Sequence, residues 1–187
     1  MKKIALILAA ILAVGALLVS CAKDEPKDDN KVQDDGAKEA VVLTLEELQA
    51  ATAKIYEKCP LPFMYGDFPQ EMINAESIEY YTGIKEFDTF AAVNVSESML
   101  GSQAYSLVMA SVKADQDVQA VADAMINGIN MRKWMCVGAD TIRTVVSGNT
   151  VMLVMIDTNL GLDVTVDDFV NAFTEVVGTV DYEAEQK

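Results

Sequence analysis

Catalysis by carboxylates alone remains possible in this chain, although the sequence contains no histidine. Histidine is the commonest general base and metal ligand near neutral pH. Its absence excludes Ser–His and Cys–His nucleophile pairs and histidine-containing zinc sites. Two carboxylates are enough to hydrolyse a glycosidic bond. Glu71, Glu76 and Glu79 are candidates, although acidic residues are so common here that closeness in sequence carries little weight.

Aromatic side chains are concentrated in a stretch with little regular pattern, where Phe63, Tyr65, Phe68, Tyr80 and Tyr81 follow one another. Loops often carry function, so these rings are candidates to line a groove for a peptide or a glycan. The structural alternative is that they cover one end of the hydrophobic core.

The segment 131–136 holds the only tryptophan, Trp134, next to Arg132 and Lys133. Trp and Arg are enriched at binding hot spots, so the segment is a candidate recognition patch. Alternatively, the cations mark a helix C-terminus and Trp134 packs on a sheet. The combined candidate surface for a ligand or partner is Tyr65, Phe68, Tyr80, Tyr81, Arg132 and Trp134.

Cys59 and Cys136 allow two interpretations. Outside the cell the pair can form a disulfide, but two separate buried thiols fit the sequence as well.

Asp157, Asn159 and Asp168 fall at positions one, three and twelve of a calcium loop, whereas Gly161 and Leu162 break that pattern. We therefore expect a strand-to-helix connection there, with no metal and no cofactor.

A third cysteine, Cys21, follows an N-terminal apolar run. Two lysines precede 16 uncharged residues, 4–19, which are too few to span the roughly 20-residue thickness of a bilayer. Leu18-Val19-Ser20-Cys21 resembles the lipobox of bacterial lipoproteins. The resemblance implies that residues 1–20 are a signal peptide and that Cys21 is lipidated. A plain secretory signal is the alternative.

Residues 21–40 are predicted to be a disordered acidic tether, because they contain no aromatics and one large aliphatic, Val32. Two of the 14 basic residues, Lys2 and Lys3, lie in the signal, which leaves 12 against 29 acidic ones and a net charge of −17. Such a chain repels nucleic acid, so we expect no nucleic-acid partner.

The remaining pattern predicts helices and strands in one domain, 41–181, with a flexible tail at 182–187. Capping boxes at Thr44 and Thr165 open the first and last helices, and Gly83 closes a short one. Strands are predicted at 89–95 and 104–113, a helix is capped by Asp115 or Asp117, and Gly148-Asn149 joins a hairpin of 142–147 and 150–156. The fold class is α+β, in the order α-α-β-β-α-β-β-α. It is an antiparallel sheet of about four strands packed against helices on one face.

The order of these elements resembles an uncharacterised family of small lipoproteins from clostridial Gram-positive bacteria, a domain of unknown function. The residues that carry the resemblance are 79–84, 91–95 and the Gly148-Asn149 hairpin, besides the lipobox and tether. The resemblance implies a compact α+β domain on the outer face of the cell membrane. It assigns no catalytic or ligand residues.

The sequence thus favours a membrane-anchored, extracytoplasmic lipoprotein whose domain binds an envelope protein or glycan without catalysis. The alternative function is a carboxylate-dependent hydrolase of envelope glycans, which needs two acidic residues facing each other across a pocket.

Overall fold

A computed structural model describes residues 41–63 and 68–186. In these ranges four α-helices accompany one antiparallel sheet of five strands, which confirms the predicted α+β class. The helices are α1 (Leu45–Lys58), α2 (Ile78–Thr82), α3 (Val118–Gly128) and α4 (Val166–Val176). The strands are β1 (Phe90–Glu97), β2 (Tyr105–Val112), β3 (Thr141–Ser147), β4 (Thr150–Ile156) and β5 (Tyr182–Gln186), in the sheet order β1-β2-β4-β3-β5.

The predictions for the signal peptide 1–20, the tether 21–40 and lipidation of Cys21 lie outside the described residues. Within the described ranges no helix combines the length and hydropathy that a membrane span requires.

Side-chain caps fix where the long helices begin. The Thr44 backbone N–H donates to Glu47 Oε2 at 2.8 Å, and the Glu47 N–H donates back to the Thr44 hydroxyl. Thr165 and Asp168 repeat this reciprocal pair at the start of α4. Because each box satisfies backbone donors that the first turn leaves free, these sequence signals located the helix starts correctly.

Gly83 lets the end of α2 contact the end of α3. Its φ is +79°, which L side chains rarely adopt, and a Cβ there would lie 2.5 Å from the Ile129 backbone nitrogen. Glycine at this position therefore sets α2, with Tyr80 and Tyr81, against the chain that follows α3.

Helices cover both faces of the sheet, so the expectation of a single covered face was wrong. One core cluster joins α2 and α3 to the side chains of Val108, Val112 and Leu153. The other joins α1 and α4 to the opposite face. The physical reason is that every residue of β2 and β4 is buried, so both faces of the central strands are apolar and need a cover.

Residues 182–186 form an edge strand, which contradicts the prediction of a flexible tail. β5 pairs antiparallel with β3. The Tyr182 hydroxyl donates to Asp123 Oδ1 at 2.6 Å, and Arg143 of β3 donates to both Glu183 and Glu185. The acidic composition of residues 182–187 suggested disorder. In the structure Glu183 and Glu185 both bind Arg143, a long-range pairing that the sequence alone does not predict.

Candidate functional site

A buried ion pair stands at the centre of the predicted aromatic surface. Lys133 Nζ lies 2.7 Å from Glu97 Oε2, and the two side chains are only 1% and 6% exposed. The ring centre of Tyr80 lies 4.5 Å from Lys133 Nζ, and the ring centres of Tyr81 and Trp134 each lie 5.2 Å from the same atom. Burial lowers the pKa of Lys133, and the charge of Glu97 and its hydrogen bond oppose that shift.

This cluster ties three segments of the fold together, and Tyr80 is exposed at its edge. Tyr81 and Trp134 are buried in the core. Their partner Lys133 ties the loop after α3 to β1, and its Nζ also approaches the Tyr80 carbonyl at 3.3 Å. Because a ligand has no access to a pair so enclosed, the arrangement is structural.

The structure brings four of the six residues of the predicted surface together, since Tyr80, Tyr81 and Trp134 surround Lys133 and Phe68 contacts Tyr81. Phe68 packs edge-on against Tyr81, with 5.4 Å between ring centres, and also lines a groove. Tyr80 and Arg132 are exposed, and Tyr65 lies outside the described residues. The structural alternative holds in part, because Trp134 is buried in the core, whereas a helix C-terminus at 132–134 was wrong because α3 ends at Gly128.

A groove of about 930 Å³ lies between α1, the segment 68–71 and the edge strand β1. Its floor is polar, and the rest of its lining combines apolar and aromatic side chains with Gln49, Gln70 and Glu71. Its lining includes Thr52, Tyr56, Phe68, Glu71, Asn94 and Ser96. A cavity of this size with a few placed polar groups is typical of ligand sites.

Asn94 and Ser96 form the floor because alternate residues of β1 point to the same face. Asn94 Nδ2 donates to Thr52 Oγ1 at 2.8 Å, and Thr52 Oγ1 donates to the Leu48 carbonyl at 2.8 Å. Asn94 was not identified as a site residue from the sequence. The available signal was a pair of polar residues, two apart, in an otherwise apolar strand.

Ser96 is hydrogen-bonded to Tyr56, which in turn contacts Tyr105. The Tyr56 hydroxyl donates to Ser96 Oγ at 2.7 Å and lies 2.9 Å from the Tyr105 hydroxyl. Burial raises the pKa of Tyr56 to about 12, although its hydrogen bonds with Ser96 and Tyr105 lower it. Burial also raises the pKa of Tyr105. Both phenols therefore stay neutral and act as hydrogen-bonding groups, and they do not act as bases.

Gln70 closes the strand edge beside the groove. Its Nε2 donates to the Val95 carbonyl at 2.8 Å, and the Val95 N–H donates to its Oε1 at 3.2 Å. The carboxamide thus takes the place that a peptide group of a further strand would occupy.

Among the described residues that line the groove, no two carboxylates face each other. Glu71 is the one acidic residue in the described lining. Glu79 lies 3.7 Å from Lys85 on the surface, and Glu76 is exposed. Because a glycosidase needs two carboxylates across the scissile bond, this geometry does not support the hydrolase alternative.

Cys59 and Cys136 are free thiols, so the disulfide interpretation is contradicted. Cys59 is buried in the cluster under α1 and α4, whereas Cys136 is exposed in the loop that packs against the other cluster. Burial raises the pKa of the Cys59 thiol to about 11, so it is not a thiolate at neutral pH.

The calcium-like residues act as caps. Asp157 Oδ1 accepts the Asn159 N–H at 2.9 Å, and Asp168 belongs to the capping box of α4. Across 41–63 and 68–186, no group of three or more acidic or cysteine side chains is placed to hold a metal ion.

No family model matches the chain, and neither a curated protein nor a solved structure matches it. The family resemblance drawn from the sequence therefore stays a prediction, and the geometry of the groove is the main guide to function.

Proposed function

We propose that this chain is a lipid-anchored binding protein of the cell envelope, without catalytic activity, whose ligand occupies the groove between α1 and β1. The observation that carries the proposal is the buried polar floor of Asn94 and Ser96 inside a groove of about 930 Å³. Thr52 and Tyr56 hold Asn94 and Ser96 in place by hydrogen bonds, and a groove with a few polar groups fixed in this way is typical of a binding site.

The N-terminal sequence supports a position at the outer face of the cell membrane. Two acyl chains on Cys21 would anchor the protein, since each buried CH₂ contributes about 0.8 kcal/mol. The net charge of −17 for residues 21–187 would repel the domain from an anionic surface, so the lipid has to supply the attachment.

Binding at the groove is tested by sedimentation with purified cell-wall polymer. The protein is the chain from residue 21 onward with Cys21→Ser, which carries all described residues. Ala53→Trp fills the groove from an exposed position of α1, and Ala124→Trp makes the same change on the exposed side of α3. We expect Ala53→Trp to abolish co-sedimentation and Ala124→Trp to leave it unchanged. Equal binding by both variants would overturn the groove as the site.

A further inference from the structure

We infer that the groove takes a neutral oligosaccharide, held through its hydroxyl groups; this rests on the proposed function and names its ligand class. The first observation is the orientation of Asn94. The Thr52 hydroxyl donates its hydrogen to the Leu48 carbonyl, so in its contact with Asn94 Nδ2 the Thr52 oxygen is the acceptor. The Oδ1 end of Asn94 is therefore turned away from Thr52.

Asn94 Oδ1 is an acceptor that the fold leaves available. The side chain lines the groove, the residue is only 4% exposed, and no donor to Oδ1 is found in the described part of the chain. Oδ1 is not among the buried unpaired atoms of the described residues, so it is open to the groove and can accept a hydrogen bond from a ligand.

Ser96 supplies the complementary donor. Tyr56 donates to Ser96 Oγ, and Tyr105 donates to the Tyr56 oxygen, so the Ser96 hydroxyl hydrogen is not used by this chain of phenols. Ser96 lines the same groove, two residues from Asn94 or about 6.7 Å along the strand. A hydroxyl group both donates and accepts, so a sugar ring with several hydroxyls matches a floor that offers one of each.

The walls and charges select the kind of ligand. Tyr56, Phe68 and Leu61 give apolar surface for the C–H faces of a sugar ring. Glu71 is the single charged residue in the described lining, and the chain is strongly acidic, so an anionic ligand would be repelled.

An extended peptide fits this edge less well. A peptide that adds to a sheet pairs its backbone with the free strand edge. At Val95 both backbone groups are already bonded to the Gln70 carboxamide, so that pairing is blocked beside the floor.

The test is calorimetric titration of the chain from residue 21 onward (Cys21→Ser) with cellotetraose as the neutral probe. Tetragalacturonate is the anionic probe, and N-acetyl-tetra-alanine amide is the peptide probe. We expect binding of cellotetraose alone, weakened by about tenfold or more in Asn94→Leu, which removes the acceptor. Ser106→Ala, a buried change on β2, is the matched control and should bind as wild type does. Thermal unfolding of each variant shows that it is folded.

Binding of the peptide probe but not cellotetraose would overturn the saccharide inference and leave the groove intact as a site. Equal affinity of wild type and Asn94→Leu for cellotetraose would also overturn it. Should Asn94→Leu fail to fold, Ala53→Trp replaces it, and cellotetraose binding that survives that change contradicts the inference. The loss of co-sedimentation with cell-wall polymer in Ala53→Trp does not depend on any of these titrations. The proposal that the groove is the binding site and the inference that its ligand is a neutral saccharide can therefore fail separately.

Discussion

The Lys133–Glu97 pair is the residue-scale feature on which the packing of the aromatic cluster depends. Two charges this deeply buried stabilise each other only as a pair, because removal of one leaves the other desolvated and uncompensated. The sequence placed Lys133 beside Trp134 but gave no sign of its partner, since Glu97 is 36 residues away on β1. Long-range pairing of this kind is decided by the sheet register.

Lys133→Met should lower the free energy of unfolding by about 3–5 kcal/mol, and Glu97→Gln should also lower it. The double variant Lys133→Met/Glu97→Gln should lose less than the sum of the single changes, because it leaves no unpaired charge. Urea unfolding of the four proteins measures this cycle. Single losses below about 1 kcal/mol, which are typical of exposed pairs, would contradict the assignment.

Tyr56 makes stability depend on alkaline pH. Its unfolded phenol ionises near pH 10, whereas in the folded protein the pKa is about 12. The folded state therefore holds more protons in this window, and the free energy of unfolding falls as pH rises from 10 toward 12. Tyr56→Phe should reduce this fall, as measured by urea unfolding at about pH 8 and about pH 11. An unchanged dependence on pH would show that Tyr56 does not contribute.

At the scale of elements, capping and turn signals in the sequence predicted where helices begin and end. Thr44, Gly83 and Thr165 each end or begin a helix as predicted, because the chemistry that defines a helix end is local. Of the two candidate caps for α3, Asp115 and Asp117, it is Asp117 that caps the helix. β5 and the second covered face were missed, because both depend on contacts between elements distant in sequence. The groove was missed for the same reason, since its floor and walls come from three separate segments.

The capping box of α4 predicts the effect of Thr165→Ala. The change removes the acceptor for the Asp168 N–H, and we expect a loss of about 1 kcal/mol in the free energy of unfolding. Thr174→Ala, an exposed position in the same helix, should not destabilise. Chemical denaturation compares the two, and an equal effect would mean that the box does not stabilise the helix.

β5 predicts that the C-terminal residues are needed for stability. Truncation after Asp181 removes the pairing with β3 and the Tyr182 bond to Asp123, and it takes Glu183 and Glu185 away from Arg143. We expect a lower melting temperature and faster hydrogen exchange in β3. A truncated protein as stable as the full one would restore the description of 182–187 as a tail.

At the scale of the whole molecule, we propose that the lipid attaches the protein to the membrane and that the groove recognises the ligand. In a bacterial host fed an alkyne fatty acid, the wild type should become labelled and Cys21→Ala should not. The reason is that only the thiol of Cys21 accepts the lipid in a lipobox. Equal labelling of the two proteins would contradict lipidation at this cysteine.

The most direct test of the central claim, that the groove binds the ligand, is an NMR titration of the chain from residue 21 onward (Cys21→Ser) with cellotetraose. Side-chain amides report on both sides of the molecule, with Asn94 and Gln70 at the groove and Asn127 on α3. We predict that the signals of Asn94 and Gln70 shift while that of Asn127 does not. Shifts confined to the surface around Tyr80 and Arg132, with Asn94 unmoved, would contradict the claim.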